Sequence, residues 1–174
     1  MFNLLLKWPL AAAGSLLLAG GFLISSLVYA KSLTRQNVNV QLSLDLYKDA
    51  QLAKQKGVPI VVMFSQDGCL YCSIVRENFL KPLLINRDYD QKVLIREVKV
   101  DSFEDIKHFN GKMVGSDELA TEYRAYLTPT VIVFDSTGKA HHRIVGLVNE
   151  HYYSAELDTA IDNTLINIHQ VVSN

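Results

Sequence analysis

Cysteine is nearly missing from this chain, with 2 among 174 residues. So small a supply excludes the disulfide-dense scaffolds of small secreted domains and any all-cysteine zinc site. No charge of one sign is in excess, at 17 Lys plus Arg against 18 Asp plus Glu, and nothing points to nucleic acid or anionic lipid as a partner. Tryptophan occurs once and proline four times. No repeat, low-complexity tract or long Pro/Gly/Ser-rich linker divides the chain, and beyond residue 30 no apolar run is long enough to span a bilayer. Residues 31–174 are therefore expected to form one domain with a real core.

What is present begins with an apolar front end. Lys7 is the only charged side chain up to Ala30, and Trp8 to Tyr29 is almost wholly apolar, ending in Val28-Tyr29-Ala30. Residues 1–30 read as a signal peptide or a membrane anchor, with cleavage after Ala30 and retention both open. Either outcome places the rest outside the cytoplasm, in the periplasm or on the outer face of the inner membrane, and Lys7 agrees with the positive-inside tendency. Residues 31–42 read as a mobile linker.

Ser43 is expected to cap a helix whose apolar face is Leu46, Tyr47, Ala50 and Ala53, ending at Lys56-Gly57. A β-branched run from Pro59 to Ser65 follows as a strand. Pro82 is expected to interrupt the next helix near Leu80, and Val93 to Val100 reads as a second strand. Asp101 to Gly115 reads as an irregular segment with at most one short helix, in which Lys107, His108 and Phe109 form either a partner-recognition surface or ordinary surface. Ser116 is expected to cap a helix over Asp117–Tyr126, with Thr130–Phe134 and His141–Val145 as a closing strand pair. Asn149 opens a final amphipathic helix through Leu157, Ile161, Leu165 and Ile168. Strands alternating with helices and finishing in a hairpin imply a mixed sheet of about four strands, covered on both faces.

The two cysteines lie three positions apart in Cys69-Leu70-Tyr71-Cys72, directly after a strand and a Gln66-Asp67-Gly68 break. That order places Cys69 at or just before the first helical turn, where free backbone N–H groups favour a thiolate, and Cys72 one turn deeper. Cys69 would attack or be attacked, and Cys72 would resolve the mixed disulfide. The competing uses are a metal site and a structural disulfide. A finger needs two further ligands at matching spacing, which His108, His141, His142, His151 and His169 do not offer, and His141 and His142 on one strand point to opposite faces. A c-type haem would need His where Ser73 stands. So short a loop constrains the unfolded chain little.

With Cys-x-x-C behind a strand, Thr128-Pro129-Thr130 ahead of a Val-Ile-Val-Phe strand, and the strand-end glycine of Val145-Gly146-Leu147, residues 43–170 resemble a thioredoxin. The stretches Asp67–Cys72, Lys92–Glu97 and Leu127–Val131 are similar to exported bacterial thioredoxin-like proteins of the SoxW type. The resemblance implies a thioredoxin fold with an extra N-terminal helix and an insertion before the second core helix. It also implies a cis Thr128–Pro129 bond. Tyr71, Thr128, Pro129 and Gly146 would then contact substrate, Thr128 by backbone pairing with an extended segment. Two departures stand out. Met63 occupies the position of the family's buried acid, and Glu97 that of its lysine. We expect Glu97, with a raised pKa, to serve as proton acceptor for Cys72, or else to be a solvated strand charge. Tyr71 and Thr128 also resemble periplasmic Dsb-type isomerases, although the chain has nothing to supply their dimerisation domain.

The expected function is therefore thiol:disulfide exchange with protein substrates, more as reductase than oxidant, in a monomer that needs no metal or organic cofactor. A membrane thiol-disulfide donor or acceptor would recycle it. The competing class is a binding or chaperone module of the same fold whose cysteine pair is idle or holds a metal.

Overall fold

The computed structural model describes residues 38–172. The expected export segment, and the first part of the linker, lie outside them. Among the described residues no helix is long and apolar enough to cross a membrane.

The chain runs β1 (Gln41–Leu42), α1 (Leu46–Lys56), β2 (Ile60–Ser65), α2 (Leu70–Val75), a π-helical turn (Arg76–Leu80), α3 (Lys81–Ile85), β3 (Leu94–Lys99), β4 (Ile106–Lys107), β5 (Met113–Val114), α4 (Ser116–Glu122), β6 (Thr130–Phe134), β7 (Ala140–Val145) and α5 (Glu150–Val172). The main sheet has five strands in the order β1-β3-β2-β6-β7, against the four expected. The added strand is β1, which pairs parallel to β3 through Gln41–Arg96 and Leu42–Glu97, so residues 41–42 belong to the domain and not to a linker. β2 pairs parallel with β3 and antiparallel with β6, which makes the sheet mixed.

β2 sits at the centre, and all six of its residues are buried. This explains its unbroken apolar run, since a strand covered on both faces has no polar side to alternate with. One face carries Ile60, Val62, Phe64, Ile132 and Phe134 against α1 and α4. The other carries Val61, Met63, Ile95, Val131 and Val133 against Val75, Phe79 and Leu80 after the cysteines and Tyr153, Leu157 and Ile161 of α5.

Helix boundaries differ from expectation for local reasons. Asp45, not Ser43, caps α1 by accepting from the Lys48 amide at 2.8 Å. Ser43 is buried and donates instead to Asp49. Tyr47, expected on the apolar face, is exposed, and Asp49 takes a buried place beside Leu46, Ala50 and Ala53. Gly57 closes α1 in the left-handed region, with its own amide and that of Val58 bonded back to Lys54 and Ala53. Pro82 does not stop its helix. The turn before it widens, with Lys81 N–H reaching Arg76, and the helical path continues to Ile85. Such a widened turn shifts the hydrogen-bond register at the point where a proline would otherwise break it.

α4 ends at Glu122 with Arg124 at φ 53°, and the amides of Ala125 and Arg124 fold back to Ala120 and Thr121. This is the glycine-type helix end made by an arginine, hence the overlong helix expected through Tyr126. Ser116 does not cap α4. Gly115 holds that position, and the buried Ser116 hydroxyl donates to Ser102 O at 2.8 Å. The Asp101–Gly115 segment contains no helix but the β4–β5 hairpin. His108 and Phe109 are buried beneath it, His108 stacked on Tyr123 with ring centres 5.8 Å apart, so neither is part of a recognition surface. Gly138 in the β6–β7 turn makes room for Phe109, because a Cβ there would lie 2.7 Å from that side chain.

Candidate functional site

β2 delivers the chain to Ser65 at one end of the sheet, and Gly68, at φ 70°, turns it into α2. Cys69 is the N-cap residue, and its sulfur accepts from the Cys72 amide at 3.1 Å. Cys69 and Cys72 form a disulfide, with Cα atoms 5.3 Å apart. Their settings differ as one helical turn dictates: Cys69 is half-buried, whereas Cys72 is fully buried.

The opposing piece arrives from β6. Phe64 pairs with Thr130, so the preceding Pro129 is carried to the same end of the sheet as the segment following β2. The Thr128–Pro129 bond is cis. Thr130 fixes the turn before it by donating to Leu127 O at 2.6 Å, and Gly146 N–H donates to Pro129 O at 2.7 Å. Gly146 has φ 70°, which favours glycine, and open space where a Cβ would project. Topology thus gathers Cys69, Cys72, Thr128, Pro129 and Gly146 at one end of the sheet. Tyr71 is exposed, as are Leu70, Tyr126, Leu127 and Val148.

Glu97 lies beside Met63 in the sheet, on the face that packs the cysteine helix. It is neither a solvated charge nor a carboxyl with a raised pKa. The side chain is buried, accepts from the Ser65 hydroxyl at 2.5 Å, and is gripped by Arg76 through Nε at 2.7 Å and a second guanidinium nitrogen at 2.5 Å. Burial alone would push its pKa up, but the bonds to Arg76 and Ser65 and the charges of Arg76 and Lys99 outweigh it and hold the carboxyl below its ordinary value. Arg76 is raised in turn, first by its hydrogen bond to Glu97. Lys99 lies 4.0 Å from Glu97 and 2.6 Å from Asp67, and its hydrogen bond and charge lower the Asp67 pKa. Arg76, Ser65 and Lys99 did not figure among the expected site residues. For Arg76 the signal was there: it follows Cys72 by four residues, on the same helical face.

The histidines are occupied elsewhere, His141 against Asp135 at 2.8 Å and His142 against Glu156 at 3.2 Å. Among the described residues no group of three or more His, Cys, Asp or Glu is placed to hold a metal. The arrangement can exchange one disulfide: Cys69 keeps part of its surface open, and the fully buried Cys72 lies a turn behind it.

The sequence model of the thioredoxin-like domain matches residues 46–161. Among solved structures, mitochondrial thioredoxin 3 of Saccharomyces cerevisiae is 20% identical, with a TM-score of 0.49 over 71% of this chain and 94% of its own. A DsbH oxidoreductase is 18% identical, with a TM-score of 0.49 over 72% and 86%. The periplasmic thioredoxin SoxS of Paracoccus pantotrophus is 16% identical, with a TM-score of 0.44 over 61% and 98%. No curated protein matches the chain.

Proposed function

The chain belongs to the thioredoxin-like domain family, and from that premise we propose that it is an extracytoplasmic thiol:disulfide oxidoreductase of the SoxW type, working as a reductase. The observation that carries this reading is the Cys69–Cys72 disulfide at a helix start, with Cys69 only partly buried and Cys72 fully buried. In the reduced protein the Cys69 thiolate attacks a substrate disulfide, forms a mixed disulfide and expels one substrate thiolate. The Cys72 thiolate then attacks Cys69 sulfur, releases the second substrate thiolate and restores the internal disulfide. Two electrons pass from the dithiol to the substrate, and a membrane thiol-disulfide donor returns them. No metal or organic cofactor enters.

The Cys72 amide aimed at Cys69 sulfur supports the thiolate there. Thr128 and Pro129 would seat an extended substrate segment, with Tyr71 beside it and open space over Gly146. Proton uptake by Glu97 works against the bonds from Arg76 and Ser65, which favour its ionised form. An unchanged exchange rate across neutral pH in Glu97→Gln would remove it from the chemistry.

The deciding experiment combines a trap with a potential. Cys72→Ser should accumulate mixed disulfides with protein partners in cells, and Cys69→Ser should accumulate none. Equilibration against glutathione buffers should give a potential near thioredoxin's, about −270 mV, whereas a value near about −120 mV would reverse the direction to disulfide donor. Tight partner binding without thiol turnover would instead make the chain a binding module.

A further inference from the structure

A single exposed apolar side chain ordinarily carries no message. Phe103 is different because of its mount. It is fully exposed, at 107% relative accessibility, while the residues around it are tied down. Val100 N–H donates to Ser65 O at 2.8 Å, the Ser116 hydroxyl to Ser102 O at 2.8 Å, and Glu104 N–H to the Ser102 hydroxyl at 3.1 Å. Asp101 accepts from the Asp67 amide at 2.9 Å, two residues before Cys69. The loop that presents Phe103 is thus fastened to the loop that presents the disulfide. With two Cα steps of 3.8 Å on either side of that hydrogen bond, Phe103 lies no more than about 20 Å from Cys69, the reach of about six extended residues.

The setting of the ring defines what it suits. Asp101, Glu104 and Asp105 flank it, all exposed, while Lys99 is spent on Asp67 and Glu97 and Lys107 lies over the Tyr47 ring, 5.2 Å from its centre. An aromatic face rimmed by carboxylates matches a guanidinium, which stacks on the ring while pairing with the acids. Leu70 and Tyr71, the exposed residues between the two cysteines, carry no charge. We propose that the Val100–Asp105 loop is a second docking point for protein substrates, at which Phe103 receives an arginine-bearing basic segment up to about six residues from the reacting substrate cysteine. The inference rests on the oxidoreductase reading and adds to it a preference for basic substrates.

The test uses the full chain, reduced by dithiothreitol, and synthetic peptides whose single cysteine is in mixed disulfide with glutathione. Six residues from that cysteine, on either side, the peptides carry Arg-Arg, Gly-Ser or Glu-Glu. Each turnover oxidises the Cys69–Cys72 dithiol and releases peptide thiol and glutathione. We expect kcat/KM for Arg-Arg to exceed Gly-Ser about tenfold, with Glu-Glu lowest. Phe103→Ser, and separately the pair Glu104→Gln with Asp105→Asn, should bring Arg-Arg within about twofold of Gly-Ser and leave Gly-Ser unchanged. Equal rates for the three peptides, or a Phe103→Ser defect shared by all of them, overturns the proposal. If no peptide is reduced, the oxidoreductase reading falls on its own. Docking is then decided by calorimetry with the Cys→Ser peptides: a preference for Arg-Arg that Phe103→Ser abolishes supports it, and no preference overturns it.

Discussion

Arg96 and Glu97 are neighbours on β3, yet they face opposite layers of helix, and each is buried against a partner of opposite charge. Arg96 donates to Asp49 of α1 at 2.7 Å, and the other Asp49 oxygen takes the Ser43 hydroxyl at 2.5 Å. That network closes on itself and only ties α1 to the sheet. Glu97 instead collects Ser65, Arg76 and, through Lys99, Asp67, residues from the strand, loop and helix that lead into and out of the disulfide. The same device therefore serves architecture on one face and holds the disulfide's frame on the other.

The largest effect that would break this contrast lies on the architectural face. Asp49→Leu leaves a buried guanidinium without its carboxylate and should cost about 3–5 kcal/mol in urea unfolding, with Arg96→Met in the same background recovering most of it. The reduction potential of the folded protein should stay that of the wild type. A shift as large as that of Arg76→Met would erase the distinction between the faces. Arg76→Met comes next. It leaves the buried Glu97 carboxylate with the Ser65 hydroxyl and Lys99 still beside it, so losing Arg76 should cost less, about 2 kcal/mol, and here the potential should move.

A pH series sharpens the comparison further. The folded Glu97 pKa lies below its ordinary 4.5, so the unfolded chain takes up that proton first as the solution is acidified. Its contribution is complete above the unfolded value and is lost as pH falls through the folded one. The stability gap between wild type and Glu97→Gln should be flat from neutrality to about pH 5 and shrink below it. A gap independent of pH between 3 and 7 would contradict the ion pair. The smallest effect belongs to Gly146→Ala. Strain at φ 70° should cost about 1 kcal/mol, and exchange with peptides should slow more than exchange with glutathione.

How far the sequence could be read tracks how local each signal was. The strand, turn and helix around Cys69 carry their own punctuation, as do Gly57 at the end of α1 and the Thr130–Phe134 strand. β1, β4 and β5 have two residues each, too few for any periodicity, and exist because other strands or chain segments accept them. Ser43 and Asp45 are both good caps, and what separates them is Asp49, a side chain that occupies Ser43 in the fold. Glu97 was legible as a charge near the cysteines, but the sign of its pKa shift depends on Arg76, whose reach across to β3 is tertiary.

The widened turn at Arg76–Leu80 has a consequence for how this chain tolerates changes in length. It holds one residue more than an ordinary helical turn, so deleting the exposed Asn78 would leave a regular helix rather than a gap. Because the extra residue is taken up inside the widened turn, the residues after it would keep close to their present facing. Leu83 and Leu84, which pack on the core beside Leu80, would stay on it, but Pro82 would meet the carbonyl it now avoids. At this place a shorter chain would make a more regular helix and a worse protein.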